Sequence, residues 1–413
     1  MKIITSCLNN GLPIIYIENK VSKLVHVNFK INVGAKNETA DTSGLSHLIE
    51  HVIFLGSNKY SLQEIEDISA DCGTNIDAGV DVDFTTFSFK VVKNYLPQMM
   101  DVLGNMLQHP KFASNSIKKE IKVIKTEMKD QDDNFDDVWT QQILMSSFDY
   151  SPHQSAVFGP EKTLDDFKRT NLVNFWKKYY TAPNSVLLIC GDCEDYHELA
   201  ERYFGQMSDE KPDVFEKKAF SPKNYACDWL ADINSFCLTF GNLSSFCNND
   251  IVPSLLCNVL NARLFNLLRN KHALLYKVEV YSNYYSCGSI LCFSADCSKE
   301  NTHKTIQLIC DEIVRIRKFG ISEKELLRAK NKLHTEYLCE IEDTGKLIDI
   351  YAEDFLLGNL VTRDNKLKML QQISISDVNL LASKLFYTKP ESGIIGDAKQ
   401  KLECEQITNY LEL

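Results

Sequence analysis

The feature that most constrains this chain is that it repeats itself. Gly191-Asp192 and Gly396-Asp397 close two apolar runs 205 positions apart, and Lys119-Glu120-Ile121 returns as Lys324-Glu325-Leu326 at the same offset. Tyr180-Thr-Ala-Pro-Asn-Ser185, ahead of the first run, is echoed by Tyr387-Thr-Lys-Pro-Glu-Ser392 ahead of the second. Agreement of separate segments points to duplication of one unit. With 413 residues, 44% of them hydrophobic, the chain has material for two or three cores. Each copy reads as strand, helix, paired strands, several helices and a closing strand. The expected fold class is therefore α+β, with two homologous halves, each an antiparallel sheet covered by helices. Between the copies Ser208 to Pro222, SDEKPDVFEKKAFSP, is charged, holds two prolines and has the composition of a linker. The expected domains are 1–207 and 223–413, joined by 208–222.

Only the first copy carries metal-binding chemistry. In Gly44 to Gly56, GLSHLIEHVIFLG, the residues Leu45, Leu48, Ile49, Val52 and Ile53 recur at helical spacing and form a core face. The other face holds His47, Glu50, His51 and Phe54. Two imidazoles four apart lie one turn above each other and can grip one metal ion. Glu50 shares their face and can bond a water on that metal, which suits a general base. H-x-x-E-H is also a zinc-peptidase signature, the inverse of H-E-x-x-H. Catalytic zinc takes three protein ligands and keeps one position for water, so a third ligand is required. The predicted helix Ser116 to Lys129 offers one. Ile117, Ile121, Ile124 and Met128 form its apolar stripe, and Glu120 and Glu127 fall inside that stripe. An inward carboxylate is costly unless paired or on a metal, and two of them seven apart suggest a ligand with a supporting partner. Shifted by 205, Glu127 becomes Lys332, and the stretch around Pro253 to Leu256 has neither His nor Glu.

Taken with Glu127 standing 76 positions after His51, and Glu120 seven before that, the motif resembles the pitrilysin/insulinase-like zinc metallopeptidases. The nearest likeness is to the branch of the mitochondrial processing peptidase β-subunit and its bacterial relatives. It runs from Asn10 to about Asp397. The resemblance implies one Zn2+ per chain on His47, His51 and Glu127, with Glu50 as general base and Glu120 as supporting acid. It implies a catalytic and a non-catalytic half facing each other as a clam shell around the substrate. The implied reaction is hydrolysis of internal peptide bonds in unfolded peptides or extended segments. Zinc would lower the pKa of its water towards roughly 7, and Glu50 would take the proton and pass it to the leaving amine. In the second half, Ala262-Arg263-Leu264-Phe265 through Arg269 to Tyr276 resembles the family's arginine and tyrosine, seven apart. Arg269 and Tyr276 would then orient the scissile carbonyl and stabilise its oxyanion. Two departures stand out: Ala273 where the family usually has glycine, and Asp77-Ala78 where relatives often have Asn-Ala beside an edge strand that pairs with substrate. Ala78 to Val82 can still pair, because strand addition uses backbone groups.

A formal net charge of −11 argues against a nucleic-acid partner and is compatible with basic peptides. Asp130, Asp132, Asp133, Asp136 and Asp137 follow the Glu127 helix and would favour basic substrates if they border the site. Fourteen cysteines, scattered singly among apolar residues, read as buried free thiols in a reducing compartment. That expectation fits the cytoplasm, or the matrix of a mitochondrion or related organelle. Cys190 and Cys193 form a C-x-x-C without a second pair at zinc-finger spacing, and Cys190 ends a strand-like run. No apolar run approaches the roughly 18 residues of a membrane span. The start, MKIITSCLNNGLPIIYIEN, reads as strand, turn at Asn10-Gly11 and strand, without a signal or transit pattern. A homodimer and a heterodimer with a related subunit both remain open. The alternative to a peptidase is a non-catalytic core-type subunit of a larger complex. Retention of His47, Glu50, His51 and Glu127 weighs against it.

Overall fold

Two sheets carry the fold in this computed structural model, which describes residues 2–131, 135–148, 157–213, 219–229, 232–246, 249–402 and 404–413. The first contains β1 (Lys2–Cys7), β2 (Pro13–Glu18), β3 (Leu24–Ile31), β4 (Asp77–Val80), β5 (Thr85–Val92) and β6 (Ser185–Gly191), in the order β1-β2-β6-β3-β5-β4. The second contains β7 (Tyr225–Asp228), β8 (Ile233–Gly241), β9 (Leu275–Tyr284), β10 (Ser289–Ser298) and β11 (Glu391–Gly396), in the order β7-β11-β8-β10-β9. Without β1 the two orders are the same, as duplication requires. Pairing is antiparallel except for one parallel pair in each sheet, β2 with β6 and β7 with β11.

Central strands that are apolar on both faces need cover on both faces. In β6, SVLLICG, every residue is buried. Leu187 and Ile189 join the core beneath the helix Leu45–Ile53, together with Ile14, Tyr16, Leu48 and Val52. Val186, Leu188 and Cys190 face the other way and meet Leu347, Ile348, Tyr351 and Ala352 of the helix Thr344–Leu356. That covering helix comes from the second repeat. The reverse exchange occurs in the second sheet, where Ser146 and Ser147 of the helix Phe135–Phe148 donate to the buried carboxylate of Glu391 on β11.

The compact units therefore differ from the sequence repeats by two exchanged segments. One unit is Met1–Phe135, Ser151–Phe215 and Glu342–Val361; the other is Asp136–Tyr150, Glu216–Ile341 and Thr362–Leu413. The described residues of the expected linker 208–222 form no helix or strand. Hydrophobic burial holds the exchanged helix Thr344–Leu356 in place. Leu347, Ile348 and Tyr351 are each 2% exposed, worth about 1.5–3 kcal/mol apiece. The buried Lys30 amine meets Asp349 and Glu353 at 2.8 Å each; desolvation opposes that attraction, and the two carboxylates outweigh it and hold the amine protonated.

Among the described residues one stretch, Ile251–Lys271, is long and apolar enough to cross a membrane, but 56% of its apolar window is buried. The described cysteines are free thiols. Burial pushes Cys190 up to about 11 and Cys193 up to about 12, so the C-x-x-C is a packed, protonated pair.

Candidate metal centre

The motif helix Leu45–Ile53 has nine residues and starts at Gly44, whose φ of 88° lies in the left-handed region. A side chain there is excluded twice over. Its Cβ would sit 2.2 Å from the Phe158 carbonyl oxygen, while a Cβ on Gly159 would sit 2.3 Å from the Ser43 oxygen. The two glycines let the helix start and the 158–159 segment touch backbone to backbone. Beyond that contact Leu45, Leu48, Ile49, Val52 and Ile53 enter the core, which leaves His47, Glu50 and His51 on the opposite face.

The second contributing helix runs from Ser114 to Gln131, two residues longer at each end than the periodicity predicts. Ile117, Ile121 and Ile124 anchor it in the core of the first sheet. Glu120 and Glu127 then lie beside the motif helix. The His51 Nε2 is 3.2 Å from the His47 Nε2 and 3.5 Å from the Glu127 Oε2. The other ring nitrogen of His51, Nδ1, is 3.2 Å from the Glu120 Oε2. The Glu50 Oε2 lies 3.7 Å from the His51 Nε2 and 4.0 Å from the His47 Nε2.

The donor set suits zinc. One atom each from His47, His51 and Glu127 falls within a mutual 4.8 Å. Ligands about 2.0–2.1 Å from a tetrahedral zinc are themselves about 3.3 Å apart, close to the observed 3.2 and 3.5 Å. Burial depresses His47 to about 3, helped by His51, so its imidazole is neutral and free to ligate. The Glu50 carboxyl is pushed up to about 7, first by burial and further by Glu127 and Glu120, against the opposing pull of His51. A carboxyl near neutrality can both accept and return a proton. The Glu127 side chain is 40% exposed against 12% for His47, which leaves the centre open on the Glu127 side.

The other expected site residues lie in the second unit. Arg269 is exposed on the π-helical turn Phe265–Lys271, its guanidinium carbon 5.4 Å from the centre of the Phe265 ring. Tyr276 belongs to β9, and its side chain lies outside the described residues. Ala273, between them, has φ of 51°, which explains why glycine is the easier residue there. Of the acidic run, the side chains of Asp130, Asp132, Asp133, Asp136 and Asp137 also lie outside the described residues. β4 occupies the sheet edge, with Asp77 exposed at its start.

Family comparison agrees with this geometry. Residues 14–161 match the model of insulinase, peptidase family M16, and residues 166–228 with 249–333 match the M16 inactive domain. The chain belongs to peptidase family M16. Among its M16 relatives is a Bacillus subtilis protein named an uncharacterized zinc protease, 26% identical over 386 residues, spanning 91% of this chain and 94% of the relative. Another is an Arabidopsis thaliana protein named a probable mitochondrial-processing peptidase subunit beta, 24% identical, spanning 92% of this chain and 76% of the relative. An M16 inactive-domain structure from Pseudomonas fluorescens shares the fold with a TM-score of 0.86 at 16% identity, over 96% of this chain and 98% of that one. A Helicobacter pylori protease structure does so at 0.82 and 18% identity, over 95% of this chain and 99% of that one.

Two residues of this M16 centre escape sequence reasoning. The Phe158 ring packs edge-on to His47, with centroids 4.5 Å apart, and among the described residues the His47 Nδ1 has no hydrogen-bond partner. Packing therefore holds this imidazole, whereas a carboxylate holds His51. Tyr180 is buried close enough to Glu50 that burial, and then that charge, raise its phenol above the ordinary range. The echo between Tyr180 and Tyr387 marks a repeat and says nothing of the site, since Tyr387 is 63% exposed.

Proposed function

We propose that this M16 member is an active zinc metalloendopeptidase that cleaves extended or unfolded peptides. The observation that carries the reading is the convergence of His47, His51 and Glu127 with the Glu50 carboxylate beside them. A non-catalytic subunit has no need of a buried carboxyl beside three convergent donors.

When bound by His47, His51 and Glu127, zinc would supply Lewis acidity towards water and the substrate carbonyl. Glu50 accepts the proton of the attacking water and delivers it to the departing amine nitrogen, a role suited to its place beside both imidazoles. Glu120 accepts from the His51 Nδ1 and so holds Nε2 towards the other donors. Arg269 and Tyr276 enter this proposal as donors to the carbonyl oxygen as it gains charge. The exposed edge strand β4 would take an extended substrate as an added strand, which excludes folded chains. The names of relatives as β-subunits support a second, related chain as a partner.

Elemental analysis is expected to find about one zinc per chain in the parent and in Glu50→Gln, and none in His51→Ala. Glu50→Gln is expected to lose at least 10²-fold in turnover of a fluorogenic peptide. A zinc-free parent, or unimpaired turnover in Glu50→Gln, refutes the assignment.

A further inference from the structure

We propose that Glu38 is a positioning residue for the metal centre: its carboxylate caps the motif helix from a distance and fixes where His47, Glu50 and His51 are presented. The inference rests on the reading that His47, His51 and Glu127 hold zinc, and its own content is the source of their alignment.

Helices expose unpaired N–H groups at their start, and a local Ser, Thr, Asp or Asn side chain usually satisfies one of them. The motif helix has no such device. Its N-cap, Gly44, has no side chain to do so, and its first turn holds no acid. Glu38, six residues upstream, does this instead. One carboxylate oxygen accepts from the Gly44 N–H and the other from the Ser46 N–H, both at 2.7 Å. Ser46 directly precedes His47.

Glu38 is itself held by structure on its other side. It ends the 3-10 turn Ala35–Asn37, where the Lys36 N–H donates to the Val82 carbonyl at 2.9 Å and the Ala35 N–H to the Asp81 carbonyl at 3.3 Å. The Lys36 amine reaches the Asn32 side chain at 2.7 Å and Asp83 at 3.3 Å. Glu38 thus connects the metal helix to the turn that follows the edge strand β4. At 2% exposure it is a costly place for a carboxylate: burial pushes its pKa up, and the N–H bonds from Gly44 and Ser46 pull it back down by favouring the ionised form. A fold that needed only packing would hold an apolar residue there.

Glu38→Gln keeps the shape and one accepting oxygen but turns an amide N–H2 towards a backbone N–H. Two measurements on the purified full chain test the role. In metal-free protein, amide hydrogen exchange across residues 45–53 is expected to speed up by about tenfold or more, while the helix Ser114–Gln131 stays protected. Zinc affinity, read by competition with a chromophoric chelator, is expected to fall about 10–100-fold, as for other supports of metal ligands. Glu38→Asp, which retains the charge, is expected to recover part of both, and it carries the test if Glu38→Gln does not fold. Parent-like exchange and zinc affinity in a folded Glu38→Gln overturn the inference. So does a lower melting temperature with unchanged zinc affinity, because that is the mark of ordinary stabilisation. A parent that binds no zinc refutes the metal reading instead, and the exchange measurement still decides whether Glu38 holds the helix.

Discussion

Glu120 and Glu325 stand 205 positions apart at equivalent places in the two repeats, and each meets a nitrogen base from a neighbouring helix. Glu120 lies 3.2 Å from a His51 ring nitrogen, next to Glu127. Glu325 accepts two bonds from Arg263, at 2.7 and 2.9 Å, and the same guanidinium donates to Glu312 at 2.9 Å. Its hydrogen bond from Arg263 depresses Glu325 to about 2 against the opposing effect of burial. Lys332, the counterpart of Glu127, is 56% exposed and lies 3.7 Å from Glu336 on its own helix. An inward carboxylate needs a cation or a set of hydrogen-bond donors. The second repeat supplies a covalently attached cation, so it holds its shape without metal; the first supplies imidazoles, which leave room for an ion with an open position.

The sharpest test of this contrast asks whether the metal-free repeat still contributes to catalysis. Tyr276→Phe and Arg269→Lys are expected to lose 10²–10³-fold in kcat, roughly 2.7–4 kcal/mol of transition-state stabilisation, with zinc content unchanged. Normal kcat in both would confine the chemistry to the first repeat. Next, Arg263→Met leaves Glu312 to Arg315 at 3.7 Å and Glu325 to the Ser322 N–H and hydroxyl, and unfolding by denaturant is expected to show a loss on the order of 1.5–3 kcal/mol with zinc content unchanged. Undiminished stability would mean that the guanidinium does not take the structural place of a metal.

The exchanged helices extend the comparison to pH. His26 on β3 is 5% exposed beneath the start of the helix Thr344–Leu356, its ring nitrogen 3.3 Å from the Thr344 hydroxyl. Burial, and then Lys90, lower it from 6.5 to about 4, with Asp343 opposing. An unfolded His26 takes up a proton near pH 6.5 while the folded one refuses it. Its stabilising contribution is therefore complete above pH 6.5 and lost as pH falls towards 4. Glu391, under the other exchanged helix, is raised by burial and so weakens in the opposite direction, as pH rises. Hydrogen exchange is expected to show residues 344–356 opening on acidification, by on the order of 1–3 kcal/mol, while 135–148 stays protected. His26→Gln is expected to shrink that acid response, leaving the part due to the Lys30 contacts with Asp349 and Glu353; an unchanged response would assign it elsewhere. The smallest effect belongs to Lys332→Glu, which restores the residue type of Glu127. Zinc is expected to remain at one per chain and stability to change by less than about 0.5 kcal/mol, because position 256 is leucine and position 332 is exposed. A second bound zinc would break the comparison.

What the sequence determined on its own was everything that depends on spacing along one element. The 205-residue repeat, the helical face that groups His47, Glu50 and His51, and the inward setting of Glu120 and Glu127 are periodicities, and periodicity survives in a linear string. The α+β class followed from element order in the same way. Tertiary structure alone decided the contacts made at long separation by residues in polar or irregular stretches. Glu38 sits in GAKNETADTSG, which reads as an ordinary solvated loop, and becomes a buried cap only because the chain returns to the helix start. Phe158 reaches His47 from 111 residues away across a contact that two glycines permit. The exchange of covering helices has the same origin. Each sheet must bury its second apolar face, but a covering helix carries no mark of which sheet it will cover, so only the folded chain assigns Thr344–Leu356 to the first and Phe135–Phe148 to the second.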